Sequence, residues 1–154
     1  MAEKIVTNVS LDDIMPLIRE QLAAGESVKF SPHGVSMLPM LRPGVDSIVL
    51  SPLPGRLKKY DIPLYQRENG SYVLHRVVAV GESYTMIGDN QFAEEKGINH
   101  RQLIGVVTAF YRGEKLHNVT DLSYRLYCVL WCGSRKIRHL AKRIVNKVKR
   151  ILKT

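Results

Sequence analysis

Between residues 28 and 119 the apolar positions recur in short runs that Pro and Gly interrupt, a pattern typical of β-strands joined by turns. Asn69-Gly70 lies between two of these runs and is a strong hairpin signal. Six or seven closely spaced strands favour a mostly β domain, either a sandwich or an open barrel, over βαβ units. We predict strands at 28–30, 46–50, 62–66, 71–80, 84–87, 103–111 and 115–119.

A helical pattern precedes and follows the β-rich region. Residues 10–24 predict a short helix that Ser10 or Asp13 caps and Gly25 ends, with Pro16 in a first turn that starts at Ile14. Near the C-terminus, apolar residues recur at steps of three and four, which places them on one side of a helix. These residues are Ile137, Leu140, Ala141, Ile144, Val148, Ile151 and Leu152. The pattern therefore predicts a β-rich domain over 1–121 and an amphipathic helical tail over 122–154.

Charge separates the same two regions. The tail contains ten Lys or Arg residues and no Asp or Glu, whereas residues 1–121 contain 13 basic and 14 acidic side chains. The net charge of +9 therefore belongs to the tail. A basic amphipathic helix favours an anionic membrane surface as the partner of residues 134–154. Packing of the tail against the domain with a solvated basic face is an alternative, and no nucleic-acid-binding motif accompanies the charge.

Composition narrows the location and the cofactors. No run of about 18 apolar residues could cross a bilayer, and Met1–Ile5 does not begin a signal peptide pattern. The two cysteines, Cys128 and Cys132, are one helical turn apart and suit neither a disulfide framework nor a metal cluster. We expect a cytoplasmic protein that is peripheral on the inner face of the membrane and uses no cofactor or metal.

Three short runs supply candidate chemistry. Ser36 lies between Gly34 and Pro39, which favour a constrained turn, while His75 and Asp89 supply an imidazole and a carboxylate. Strand alternation would place His75 on one face with Val73, Val77 and Ala79, where a lone histidine is more often a core residue. Its combination with Ser36 and Gly88-Asp89-Asn90 favours acyl-transfer chemistry, because a serine nucleophile needs a base and a group that orients the base.

The same runs resemble a known family. Gly34-x-Ser36-Met37-x-Pro39-x-Leu41-x-x-Gly44 resembles the nucleophile region of type I signal peptidases and of their relatives, the self-cleaving repressors. Leu74-His75-Arg76-Val77-Val78 and Gly88-Asp89-Asn90 match later motifs of that family, so the resemblance covers about residues 28–110. It implies a β-rich serine peptidase fold. Bacterial members have a lysine base, and His75 is similar to the archaeal and endoplasmic-reticulum type.

The resemblance also implies an acid six residues after the aspartate of the Gly-Asp-Asn run. That position is Glu95, where Asp is usual, so either Asp89 or Glu95 could orient His75. Lys58 and Lys59 are alternative bases, although two adjacent lysines in a polar turn are more simply solvated.

The implied reaction is the cleavage of a precursor or leader peptide, bound in extended conformation along the strand edge at 28–31. The cut would follow small side chains, and the Ser36 N–H and the Ser31 hydroxyl are candidate oxyanion donors. Signal peptidases carry an N-terminal membrane anchor, whereas here the membrane-like element is C-terminal. Two other functions compete with a serine endopeptidase: a non-catalytic peptide-binding module recruited to membranes by its tail, and a nucleic-acid-binding regulator. The regulator ranks last, because the roughly 27 residues before the β-domain contain no helix-turn-helix.

Overall fold

The N-terminal helix is anchored by its cap and by one apolar face. The computed structural model describes residues 10–152, so the Met1–Ile5 segment lies outside the described residues. Helix α1 spans Leu11–Ala23, and the Ser10 side chain accepts a hydrogen bond from the Asp13 N–H at 3.3 Å, which confirms the predicted cap. The helix starts three residues before Ile14, so Pro16 lies within the helix and not in its first turn. Its buried residues recur at steps of three and four: Met15, Ile18 and Leu22.

Nine strands form within residues 10–152, all paired antiparallel. They are β1 (Val28–Phe30), β2 (Ser47–Ser51), β3 (Pro63–Gln66), β4 (Tyr72–Leu74), β5 (Arg76–Val80), β6 (Tyr84–Ile87), β7 (Glu95–Ile98), β8 (Leu103–Arg112) and β9 (Lys115–Asn118). A short 3-10 helix, His100–Gln102, leads into β8. A six-stranded sheet has the order β1-β2-β8-β3-β4 with β9 paired to β8, and a three-stranded sheet has the order β5-β6-β7. The predicted fold, a β-rich domain with a short N-terminal helix and C-terminal helices, is confirmed.

The structure differs from the predicted strands at two places. The run 71–80 divides at His75, so that β4 belongs to the large sheet and β5 to the small one. The predicted alternation also fails beyond this point, because the register shifts after Val77, which is buried while Ala79 is exposed. Strand β7 was missed because its sequence, Glu-Lys-Gly-Ile, contains one apolar side chain and no alternation.

Two apolar clusters fill the interior. The larger one lies among α1, the large sheet and the 37–41 segment, and includes Met15, Met37, Ile48 and Phe110. The smaller one joins the two sheets through Tyr65 of β3, Val77 of β5 and Met86 of β6. Because β4 and β5 belong to different sheets, His75 lies where the two sheets meet.

The C-terminal segment forms two helices, α2 (Leu122–Gly133) and α3 (Arg135–Leu152). Tyr124 and Cys128 of α2 belong to the larger apolar cluster, whereas no residue of α3 is buried. The predicted tail, 122–154, therefore contains one helix that packs on the domain and one that contributes nothing to the core. None of the helices in residues 10–152 combines the length and the apolarity needed to cross a bilayer.

Candidate active site

The turn that carries Ser36 is anchored by its apolar residues. Met37, Met40 and Leu41 are buried, and the Leu41 N–H donates to the Met37 carbonyl at 3.0 Å. Gly34 has φ +93°, a left-handed conformation that glycine adopts without the strain a Cβ would cause. The loop is thus held in the core by its Met and Leu side chains, while Ser36 remains half-buried at the surface.

The Gly88-Asp89-Asn90 run fixes the backbone beside Ser36. The Asn90 N–H donates to the Ser36 carbonyl at 2.8 Å, and its side-chain amide donates to the Val35 carbonyl at 3.2 Å. A Cβ on Gly88 would lie 2.7 Å from the Ser36 carbonyl oxygen, closer than van der Waals contact allows. Glycine at 88 is therefore required for this approach, which explains why two sequence-distant motifs occur together.

Ser36 and His75 line the same cavity, which has a volume of about 240 Å³. Its walls come from the 32–41 loop, from β4 and from the residues at the end of β3 and after β6. They are Pro32, His33, Gly34, Ser36, Met37, Leu41, Arg67, Tyr72, Val73, Leu74, His75 and Gln91. Within residues 10–152, no hydrogen bond joins the Ser36 hydroxyl to the His75 ring. Hydrogen bonds at catalytic sites often tighten only when substrate binds, so this geometry is compatible with a nucleophile and its base.

A hydrogen-bonded chain leads from His75 to a carboxylate. His75 Nδ1 lies 3.2 Å from the Tyr65 hydroxyl, which donates to Glu95 Oε2 at 2.9 Å. The direct distance from Nδ1 to Oε2 is 3.9 Å, so Tyr65 is the connecting group. Arg67 binds Glu95 through two hydrogen bonds, Nε to Oε1 at 2.9 Å and Nη2 to Oε2 at 2.7 Å. The order is therefore His75, Tyr65, Glu95 and Arg67.

The chain fixes the tautomer of His75. Hydrogen bonds from Arg67 hold the pKa of Glu95 below its usual value, so this carboxylate is ionised and only accepts hydrogen bonds. The single hydrogen of the Tyr65 hydroxyl goes to Glu95, hence the Tyr65 oxygen accepts from the His75 Nδ1–H. The neutral ring then keeps its lone pair on Nε2, the nitrogen a general base uses.

Burial keeps the His75 ring neutral. It lowers the pKa of His75 from 6.5 to about 4, because removing the imidazolium from water costs more than the nearby Glu95 charge restores. Burial, together with the negative charge of Glu95, also raises the pKa of Tyr65, so its phenol remains protonated. At neutral pH the site therefore contains an unprotonated imidazole, as proton abstraction requires.

Asp89 belongs to a separate cluster, built around a fully buried ion pair with Arg76. Arg76 donates to it twice at 2.7 Å, Nε to Oδ1 and Nη2 to Oδ2, and the Tyr127 hydroxyl donates to Oδ2 at 2.9 Å. The Trp131 indole N–H donates to the Asp89 carbonyl at 2.8 Å. Asp89 therefore ties α2 to the run that positions Ser36. Of the predicted site residues, Ser36 and His75 share the cavity, Glu95 connects to His75 through Tyr65, and Asp89 faces Arg76.

The alternative bases lie elsewhere. Lys58 and Lys59 line a second cavity of about 470 Å³ together with Tyr124 and Val129 of α2. Ser31, the predicted oxyanion donor, comes just before Pro32, where the wall of the Ser36 cavity begins. The sequence motifs did not indicate Tyr65, which lies on β3, or Arg67, which lies in the turn that follows β3. The signal that could have found them is a tyrosine and an arginine two positions apart beside the Asn69-Gly70 turn.

Comparison with protein-family models, with curated proteins and with solved structures found no match to this chain. The resemblance to signal peptidases therefore depends on the short sequence motifs alone.

Proposed function

We propose that this protein is a serine endopeptidase, with Ser36 as nucleophile, His75 as general base and Glu95 orienting His75 through Tyr65. One observation carries the proposal: Ser36 and His75 line one cavity, and the Nδ1–H of His75 is engaged by Tyr65. A buried neutral imidazole with a free Nε2, next to a half-buried serine on a fixed turn, is the arrangement that serine activation needs.

The reaction would proceed in two steps. As Ser36 Oγ attacks a peptide carbonyl, its proton passes to His75 Nε2, and the positive charge on the ring is stabilised through Tyr65 by Glu95. His75 then protonates the leaving amine, after which a water molecule attacks the acyl-enzyme with the same ring as base. The Ser36 N–H is the candidate oxyanion donor, and such a donor is typically worth about 3 kcal/mol.

The substrate class follows from the edges of the large sheet. Strands β1 and β4 are the two ends of its main path, and β4 supplies Tyr72, Val73 and Leu74 to the cavity wall. β1 leads into the 32–34 segment of the same wall. An extended peptide could pair with either edge through backbone hydrogen bonds and bring its scissile bond to Ser36.

The basic C-terminal segment supports a membrane-proximal location. Ten Lys and Arg residues follow Leu122 with no acidic residue among them. We therefore extend the proposal to a peripheral enzyme on the inner face of the membrane, held there by residues 134–154, that cleaves a precursor or leader peptide.

A fluorophosphonate probe tests the chemistry without a known substrate, because the oxygen of an activated serine displaces fluoride from its phosphorus and becomes phosphonylated. We expect labelling of the wild-type chain and none of Ser36→Ala, while Ser123→Ala, which alters an exposed serine of α2 away from the cavity, remains labelled. Equal labelling of wild type and Ser36→Ala would overturn the assignment.

A second candidate is a non-catalytic peptide-binding module of the same fold. The missing hydrogen bond between Ser36 and His75 within residues 10–152, together with Glu95 in place of Asp, favours it. This alternative expects Ser36→Ala and His75→Ala to retain full biological activity, whereas a chain truncated after Gly133 loses it. Loss of biological activity on the single substitution Ser36→Ala would exclude the non-catalytic alternative.

A further inference from the structure

Helix α2 has an apolar face that the domain does not cover. Tyr124 and Cys128 point into the core, and at 100° per residue the opposite side of the helix carries Leu122, Leu126 and Leu130. Val129 lies at the edge of this side, beside the cavity that Lys58 and Lys59 line. Leu122 is 81% exposed and Leu130 is 62% exposed. Arg125 borders this face, and the row itself consists of leucines and a valine.

The apolar row continues into α3. From Leu122 onward its members follow one another at steps of one, three or four within each helix and at a step of seven, about two turns, across the junction at Ser134, so the row stays on one side of both helices. Every member is exposed: Leu122, Leu126, Val129, Leu130, Ile137, Leu140, Ile144, Val148 and Ile151. At 1.5 Å per residue the row is about 45 Å long if the two helices are nearly collinear.

The opposite side of both helices is fixed to the domain. In α2, Tyr127 and Trp131 bond to Asp89. At the start of α3, the His139 ring stacks on Phe92 with 4.6 Å between ring centroids, and Arg135 forms an ion pair with Glu94. Because these contacts hold the inner side, the apolar row faces away from the domain.

Charge selects the partner. The basic residues of α3 lie on both flanks of the apolar row, and no acidic residue follows Asp121. A second copy of the chain would bring ten further positive charges against the first ten, which disfavours pairing through this face. An anionic bilayer satisfies both features, because lipid chains accept the apolar row and headgroups neutralise the lysines and arginines.

We propose that the outer faces of α2 and α3, residues 122–151, form one continuous docking surface for anionic membranes. The surface includes the leucine-rich face of α2, which Arg125 borders, as well as the basic tail. Since α2 is bonded to Asp89 beside the Ser36 loop, docking holds the cavity close to the headgroups. This last consequence rests on the proposed peptidase function, whereas the docking surface itself does not.

Vesicle flotation with the full-length chain tests the surface. The probes are phosphatidylcholine vesicles with and without about 30% phosphatidylglycerol, an anionic share at which basic helices bind. We expect Leu126→Gln/Leu130→Gln to lower the partition coefficient for the anionic vesicles about tenfold, because both side chains lose their burial in lipid. Val45→Gln/Leu116→Gln is the matched control, since these exposed apolar residues lie outside the two helices, and it should bind like the wild type. An α2 variant that binds as tightly as the wild type would overturn the proposal and leave α3 alone as the contact.

Two further arms separate other outcomes. Lys147→Gln/Lys149→Gln should weaken binding to anionic vesicles and leave the weak binding to neutral ones unchanged. Equal binding of both vesicle types by the wild type would contradict the charge argument.

Sedimentation without lipid should give a monomer. A dimer that the α2 variant dissociates, together with no vesicle binding, would assign the face to a second copy instead. Thermal unfolding checks that each variant folds. Ser36→Ala should float like the wild type, so a failed peptidase proposal does not affect this result.

Discussion

His75 and Arg76 are adjacent in sequence, yet they belong to two very different clusters. His75 faces the cavity and connects through Tyr65 to Glu95, a carboxylate with a side chain 26% exposed. Arg76 is fully buried and donates two hydrogen bonds to Asp89. Tyr124 accepts a hydrogen bond from Arg76, and Tyr127 donates one to Asp89. The strand break at His75 separates them, because β4 and β5 enter different sheets.

The two clusters differ in how they can respond to a proton. In the Arg76 cluster both charges are fully desolvated and doubly hydrogen-bonded, so a change in protonation would leave a buried charge alone. In the His75 cluster the ring is neutral, and one nitrogen remains free to accept a proton at the cavity. The buried ion pair is therefore suited to stability, and the partly open hydrogen-bonded chain is suited to proton transfer.

Replacing His75 should give the largest effect. We expect His75→Gln to slow fluorophosphonate labelling of Ser36 by about 10⁴-fold, the upper range for loss of a general base. His33→Gln, which alters another histidine of the cavity wall, should label at the wild-type rate. A labelling rate for His75→Gln within a factor of about three of the wild type would remove His75 from the mechanism.

Breaking the other cluster should destabilise the fold. Arg76→Met leaves the Asp89 carboxylate buried without its partner, and we expect the free energy of unfolding in urea to fall by about 3–5 kcal/mol. Arg135→Met is the control, because the Arg135–Glu94 ion pair is partly exposed at both partners, with side chains 24% and 31% exposed. If both variants lost the same stability, the burial of the Arg76 pair would have no special consequence.

Tyr65 tests the connection between His75 and Glu95. Tyr65→Phe removes the acceptor for the His75 Nδ1–H. It should slow labelling about 10- to 100-fold, as expected when the hydrogen bond that orients a functional histidine is lost. Glu95→Gln should cost a similar factor, and the double variant should cost no more than either single one, since both act through one chain. Tyr72→Phe, a tyrosine of the cavity wall, is the control. Additive losses would mean that Glu95 and Tyr65 act independently.

The pH dependence should show the smallest effect. Because burial lowers the pKa of folded His75 from 6.5 to about 4, the unfolded chain binds a proton more tightly within this range. The contribution of His75 to the free energy of unfolding is therefore fully present above pH 6.5. It decreases as the pH falls towards 4, by up to about 1.4 kcal/mol per pH unit. His75→Gln should lose this slope and keep the fall below pH 4.5 that the lowered pKa of Glu95 causes. Urea titrations at several pH values measure this dependence. If the free energy of unfolding had the same pH slope in the wild type and in His75→Gln, the His75 ring would be exposed to water.

Local signals in the sequence predict much of the fold. Ser10 caps α1, Gly70 turns the β3–β4 hairpin with φ +86°, and the steps of three and four in residues 137–152 predict α3. These features depend on nearest neighbours and on a single period. The break at His75 was not predictable in this way, because it depends on which sheet each half of the run joins.

The site residues that belong to sequence motifs were predictable, whereas the residues that strand pairing brings to the site were not. Ser36 and His75 stand out as residue types within ordered runs, and the structure places both at one cavity. Tyr65 reads as an ordinary apolar strand residue, and its role appears only when β3 lies beside β4 and Glu95 approaches from β7. The choice between Asp89 and Glu95 likewise depends on Arg76, whose burial no local pattern indicates.

The most direct test of the central claim is a crystal structure of the fluorophosphonate-treated protein. We predict a covalent phosphorus bond to Ser36 Oγ, with His75 Nε2 within about 3.5 Å of that oxygen and Nδ1 still bonded to Tyr65. A label on another residue, or a His75 ring that faces away from the modified Ser36, would contradict the account.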